Sequence, residues 1–147
     1  MIKILPPTYF FAAIALALAA HSLFPLAAII PSGWRFAGLL PIAAGIALNI
    51  IADRQFKHRG TEVKPFKRPG ALVTDGAFRW SRNPMYLGMV LIVGGVAVFE
   101  GTLSPWIAPV ALAVLLDRVF IVREERMLED TFGGTFQQYR QRVRRWL

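Results

Sequence analysis

The chain has 147 residues, with 17 Lys+Arg against 9 Asp+Glu, a formal net charge of +8 and 55% hydrophobic residues. Only 18% of it is charged, against about 25% in ordinary soluble domains, and its apolar residues fall in long runs, which excludes a soluble globular domain and a disordered chain alike. With no cysteine there is neither a disulfide framework nor a thiolate metal site, and His21 and His58 alone cannot build a His-rich metal cage.

A membrane-spanning helix needs about 20 mostly apolar residues to cross a hydrocarbon core of roughly 30 Å. Four runs qualify as candidates, at 8–30, 34–52, 84–100 and 103–122. They predict an all-α, polytopic membrane protein forming a single integral domain over 1–147. The first run is rich in Ala, Leu and Phe and stops at Pro31-Ser32-Gly33, a turn signal. It exceeds the apolar core of a typical secretory signal peptide, the alternative reading of an N-terminal apolar stretch preceded by Lys3. Within it, His21 is expected to make a hydrogen bond between helices. The third run is short for a full crossing. The fourth continues without Gly or Pro into a polar stretch, so one long helix should emerge from the membrane there.

Charge gives the orientation. Eight Lys/Arg lie between Arg54 and Arg82 and seven more from Arg118 onward, whereas the turns at 31–33 and 100–102 hold none. Because cytosolic loops carry the excess of Lys/Arg, the segments 53–83 and 123–147 are expected in the cytosol, and with four crossings the N-terminus as well. A bacterial or archaeal inner membrane is the expected location. The basic residues sit at span ends, where headgroup anchoring accounts for them, so no nucleic-acid partner is expected and the bilayer is the partner instead.

Chemistry is confined to the two cytosolic pieces and the helix ends. The stretch 61–70, with Pro65, Pro69 and Gly70, reads as an extended connection along the headgroups. After it, ALVTDGAFRWSRNPMYLG mixes aromatic, basic and turn residues directly before an apolar helix. Asp75-Gly76 is a tight-turn signal. Asn83 fits an N-cap and Pro84 the first helical position, and the free N–H groups there, with Arg82 beside them, would suit a carboxylate or phosphate. The bland reading is that Asn83 and Pro84 merely start a helix while Arg82 snorkels. Beyond the fourth run, Glu124 and Glu125 require partners, since acids near hydrocarbon are costly. A seven-residue interval places Asp117 and Glu124 on one helix face, and Arg118 with Glu125 on the next. A salt-bridged helix end would explain them equally well. Gly88 and Gly95 share a face and would permit close helix packing or close approach of a ligand. Phe132-Gly133-Gly134 reads as a helix stop before a short amphipathic helix at 136–146. No dinucleotide fingerprint, P-loop, HExxH or Ser/His/Asp set is present.

Taken together, LVTDGAFRWSRNPMYLG and, one span later, REERMLEDTFGGTFQQY with VRRW resemble the isoprenylcysteine carboxyl methyltransferase and phospholipid N-methyltransferase family of integral membrane enzymes, over roughly half of the chain. The resemblance implies methyl transfer from S-adenosylmethionine, leaving S-adenosylhomocysteine, to a lipophilic acceptor: a prenylcysteine-like carboxylate, a phospholipid amine or another small lipophile. It implies that Leu72, Val73, Phe78, Arg82, Asn83, Pro84, Met85, Tyr86, Gly88 and Glu124 hold the cofactor, and offers Glu125 as a base for an amine acceptor. No metal is implied. Asn83 stands where His is more familiar, and Phe120 where the prenylcysteine enzymes carry Arg. A nicotinamide-dependent reductase remains an alternative, because sterol-reductase-type proteins end in a similar R-H-P-x-Y-x-G segment, and so does a noncatalytic membrane protein on the same scaffold.

Overall fold

Prolines open three of the helical elements, since a residue without an N–H loses nothing in a first helical turn. In the computed structural model, which describes residues 5–60 and 70–147, Pro6 starts α1 (Pro6–Leu23) and Pro84 starts the third long helix. Pro105 lies in the 3₁₀ turn Ser104–Trp106. Between them come a 3₁₀ turn at Ser32–Gly38 running into α2 (Leu39–His58), and a short turn at Gly76–Arg79. Then follow α3 (Pro84–Glu100), α4 (Ile107–Leu115), a π-helical segment Leu116–Ile121, α5 (Val122–Phe132) and α6 (Gly134–Arg142). The expected extended connection lies, apart from Gly70, outside the described residues.

Among the described residues, three helices are long and apolar enough to cross a membrane: Pro6–Leu23, Ser32–His58 and Ser104–Phe132. The apolar α3, with 17 residues, is shorter. At 1.5 Å per residue it reaches about 25 Å, under the roughly 30 Å of a hydrocarbon core.

Two expected boundaries move. The first run is helical only to Leu23, because Pro25 disfavours the helical conformation at Phe24 and cannot donate to the preceding turn. The chain then pairs with the turn after α3. Ile29 and Ile30 donate to the Gly101 carbonyl at 3.0 and 3.1 Å, and Leu103 donates to the Ala27 carbonyl at 3.1 Å. The second helix begins at Leu39 and runs on to His58, so that Arg54 and Lys57 stand on its last turns rather than in a loop. Near the α3 end, His21 bridges Thr102 Oγ1 at 2.9 Å and Glu100 Oε2 at 3.1 Å, the interhelical role expected of it.

Helix α3 lies between α1, α2 and α4 and buries Tyr86, Gly88, Val93, Gly95 and Ala97. Its glycines set the closest contact. Gly88 meets Gly45 and Asn49 of α2, and Gly95 meets Gly38 and Ile42. A Cβ at Gly88 would stand 2.7 Å from the Gly45 carbonyl oxygen, so backbone lies against backbone, as small residues permit between membrane helices. The glycine at 88 is thus accounted for by helix packing. Gly88→Val should destabilise the fold by about 3 kcal/mol, the upper range for overpacking, whereas Gly94→Val, with nothing within 4 Å, should be close to neutral. Thermal unfolding in detergent measures both, and equal midpoints would refute the tight α2–α3 contact.

Two clusters make the interior. Ala13, Ala17, Val93, Leu112, Leu116 and Phe120 pack among α1, α3 and α4, with Tyr86 at their edge. The other cluster joins the end of α2 to the loop before α3 and to α6 and the residue after it through Ala52, Val73, Phe78, Phe136, Tyr139 and Val143.

Candidate active site

Two short acid-bearing elements meet where α3 begins. Tyr86, in the first turn of α3, donates its hydroxyl to Glu124 Oε1 at 2.7 Å. One residue on, Glu125 is buried and receives Arg82 Nη2 at 2.7 Å and Arg145 Nη2 at 2.6 Å. Arg145 also reaches Asp117, at 3.2 and 3.3 Å, and Trp146 Nε1 donates to the same carboxylate at 3.2 Å. Three acids, two guanidinium groups, a phenol and an indole are therefore gathered around the start of α3. A buried charge needs such partners, because unpaired it would carry its full desolvation penalty.

The expected face-sharing of Asp117 with Glu124 is not what forms. Asp117 and Glu125, eight residues apart, converge on Arg145, while Glu124 turns to Tyr86. The π-helical segment Leu116–Ile121 is the cause, since its wider turn takes up one extra residue and shifts everything after it. Arg118 does not approach Glu125. It stays exposed, its nearest acid being Asp117 at 3.9 Å.

Arg82 is likewise committed. Besides Glu125, its guanidinium donates to the carbonyls of Arg140 at 3.1 Å and Val143 at 2.7 Å, so it is no free cation beside the helix start. Asn83 occupies the N-cap position without capping: its Nδ2 donates to the Arg145 carbonyl at 3.0 Å, and no side chain caps α3. Arg82 N also donates to the Arg144 carbonyl at 3.0 Å. The tail after α6 thus runs alongside 81–83, as its extended Val143 allows. The amphipathic helix expected to reach 146 ends at Arg142 for this reason.

The loop before α3 forms an apolar wall. Val73 and Phe78 are buried, Leu72 and Met85 pack against them half-buried, and Phe56 of α2 meets Phe78 edge to face at 5.0 Å. Gly76, at φ +56, turns the chain against the Gln55 side chain, whose Oε1 accepts from Ala77 N at 3.2 Å. Tyr139 Oη donates to the Phe78 carbonyl at 2.7 Å. Burial raises the Tyr139 phenol above its ordinary pKa, so it remains a donor at neutral pH. Tyr139→Phe would leave that carbonyl unpaired and should cost about 1.5 kcal/mol of stability, read from denaturation midpoints; an unchanged midpoint would show that the bond does not hold the loop. At the outer end of the loop, the hydrogen bond from Arg59 to Asp75, 2.9 Å long, holds the Asp75 carboxyl below the usual carboxylate range.

Among the residues expected at the site, the structure brings Arg82, Asn83, Pro84, Met85, Tyr86, Glu124 and Glu125 to one corner, with Leu72, Val73 and Phe78 in the adjoining wall. Gly88 faces α2 instead. Asp117, Arg145 and Trp146 complete the polar cluster without having been singled out as site residues. Their signal was the surplus of acids at a membrane exit, which demanded cations, and VRRW was the nearest uncommitted basic stretch.

The phospholipid methyltransferase family model matches residues 34–135, so more than half of the chain carries the family's pattern. The chain belongs to the phospholipid methyltransferase family. An uncharacterised protein of Haemophilus influenzae is 35% identical over 63 residues, covering 43% of this chain and 100% of that protein. The protein-S-isoprenylcysteine O-methyltransferase of Schizosaccharomyces pombe is 31% identical over 75 residues, 49% of this chain and 30% of the yeast protein. A solved eukaryotic intramembrane Ras methyltransferase, an isoprenylcysteine carboxyl methyltransferase, shares the fold with a TM-score of 0.65 at 24% identity, over 96% of this chain and 51% of that one. The chain therefore spans about half or less of these two characterised relatives.

Proposed function

We propose that this protein transfers a methyl group from S-adenosylmethionine to a lipophilic acceptor at the cytosolic membrane edge. The observation that carries the reading is the Tyr86–Glu124 pair at the uncapped start of α3, beside the Leu72/Val73/Phe78/Met85 wall. The chemistry of this set fits the cofactor. Glu124 keeps one carboxylate oxygen without a hydrogen bond among the described residues, where an ammonium or ribose hydroxyls would pair. Pro84 has no N–H, and the N–H groups of Met85 and Tyr86 at the positive end of the helix dipole suit the cofactor carboxylate. Leu72 and Met85 present half-buried edges to an adenine.

When bound, S-adenosylmethionine supplies an electrophilic methyl group on sulfur. The chain's own task is then orientation and exclusion of water, which can lower a barrier substantially without acid–base chemistry. Both oxygens of Glu125 are taken by guanidinium donors, and we assign it to holding the α3 start and the C-terminal tail together rather than to proton abstraction. Phe120, where the prenylcysteine enzymes carry Arg, is fully buried against Tyr9 and Tyr86 and brings no charge of its own to meet a carboxylate. The phenylalanine in place of that arginine favours an amine-bearing or neutral lipophile over a prenylcysteine carboxylate.

The proposed topology has four crossings, α3 being the short one, with both termini in the cytosol of a bacterial or archaeal inner membrane. The Lys/Arg distribution supports it. Calorimetric titration of the detergent-purified protein with S-adenosylmethionine, S-adenosylhomocysteine and NADPH tests the reading. Micromolar binding of the first two alone is expected. Binding of NADPH instead would identify a reductase, and binding of none would turn the reading to a noncatalytic protein.

A further inference from the structure

A cleft of about 300 Å³ opens at the cytosolic-side end of α2, lined by Arg54, Gln55, His58, Arg59 and Asp75. Its lining shares no residue with the apolar wall or with the Tyr86–Glu124 corner. Its charges are unevenly spent. Arg59 is paired with Asp75, and neighbouring Lys57 with Asp53 at 2.6 Å, while Arg54 and His58 have no hydrogen-bond or ion-pair partner among the described residues. With Arg59 and Asp75 cancelling, Arg54 leaves the lining net cationic. The Gln55 amide is already turned to the Gly76–Ala77 backbone.

Directly along the helix from these cations lies an apolar face. Ile46, Ile50, Arg54 and His58 recur at four-residue intervals, which is one ridge of a helix surface, and the two isoleucines are 47% and 46% exposed. A ridge that is aliphatic for two turns and then carries the Arg54 guanidinium and the His58 imidazole matches an amphiphile lying along it, acyl chains on the isoleucines and an anionic phosphate beside Arg54 and His58. A free phosphate would use only the cationic half.

We propose that the Arg54–His58–Arg59 cleft binds the phosphate of an anionic phospholipid whose acyl chains lie along Ile46 and Ile50. The site depends on the proposed orientation only for the leaflet it faces. Its occupant would hold the α2 end, and through Arg59 and Asp75 the loop before α3, at headgroup depth.

The test uses the detergent-purified full chain and native mass spectrometry with dioctanoyl phosphatidylglycerol, dioctanoyl phosphatidylcholine and inorganic phosphate. The double variant Arg54→Gln/His58→Gln is expected to bind the phosphatidylglycerol about tenfold more weakly, as for loss of a hydrogen bond to a charged group, whereas Lys57→Gln should bind as wild type. Inorganic phosphate should not compete at equal concentration. Equal affinity of wild type and double variant overturns the site, and an equal loss in Lys57→Gln shows diffuse positive charge in its place. Competition by inorganic phosphate overturns the lipid as occupant, and equal affinity for the phosphatidylcholine overturns the requirement for net negative charge. S-adenosylhomocysteine binding, titrated in parallel, should be the same in all variants. Its loss in wild type would overturn the methyltransferase reading without touching this cleft.

Discussion

Glu124→Ala is expected to lower the affinity for S-adenosylhomocysteine about 100-fold. Removal of a half-buried carboxylate that would make charge-assisted hydrogen bonds to a ligand costs about 2.7 kcal/mol, and tenfold in affinity is about 1.4 kcal/mol. The same change should leave the protein folded, because its one partner among the described residues is the Tyr86 hydroxyl at 2.7 Å, so a single hydrogen bond is lost. Tyr86→Phe removes that hydroxyl and keeps the ring against Phe120, so a smaller loss of about tenfold is expected from a misplaced Glu124. The order Glu124→Ala far below Tyr86→Phe below wild type, measured by calorimetry, is the signature of a carboxylate that touches the cofactor. Wild-type affinity in Glu124→Ala would move the site away from this corner.

Glu125→Ala should do the opposite, damaging the fold first. Its carboxylate sits between Arg82 and Arg145, and the Arg82 and Glu125 side chains are only 9% and 10% exposed. Removing the shared anion leaves two guanidinium groups facing each other across a buried gap, and breaking a buried pair costs about 3–5 kcal/mol. A large fall in the unfolding temperature in detergent is expected. Glu125→Gln separates this role from proton transfer. The amide keeps the shape and one acceptor, and should lose stability while the cofactor still binds. A Glu125→Gln protein of wild-type stability with its methyl transfer abolished would restore Glu125 as a base.

Helix boundaries and helix faces show how far the amino-acid sequence reaches. Asn83-Pro84 marked the start of α3, and the run to Glu100 its extent, because proline at a first helical turn and an uncharged apolar stretch are local signals. Pro25 was an equally local signal, and it ended α1 seven residues before the apolar composition did. Gly88 and Gly95 were legible as one face, since a seven-residue interval in a plain α-helix returns to nearly the same side. That interval failed for Asp117 and Glu124, and the difference is the π-helical segment between them.

From its sequence alone, this protein was determined to be apolar, helical and membrane-embedded, with its chemistry at one basic edge and a family resemblance resting on two short motifs. Those properties are periodic or contiguous along the chain. Only the tertiary structure decided which acid serves which partner. Glu124 goes to Tyr86, and Glu125 with Asp117 to Arg145, because a single added residue in one helical turn rotates the acids by a position. Arg145, the cation that Glu125 and Asp117 share, arrives from far along the chain, held there by hydrogen bonds from the Arg82 N–H to the Arg144 carbonyl and from Asn83 Nδ2 to the Arg145 carbonyl. A buried charge is paid for by whatever partner the packing brings within about 3 Å, and the packing is a property of the assembled helices.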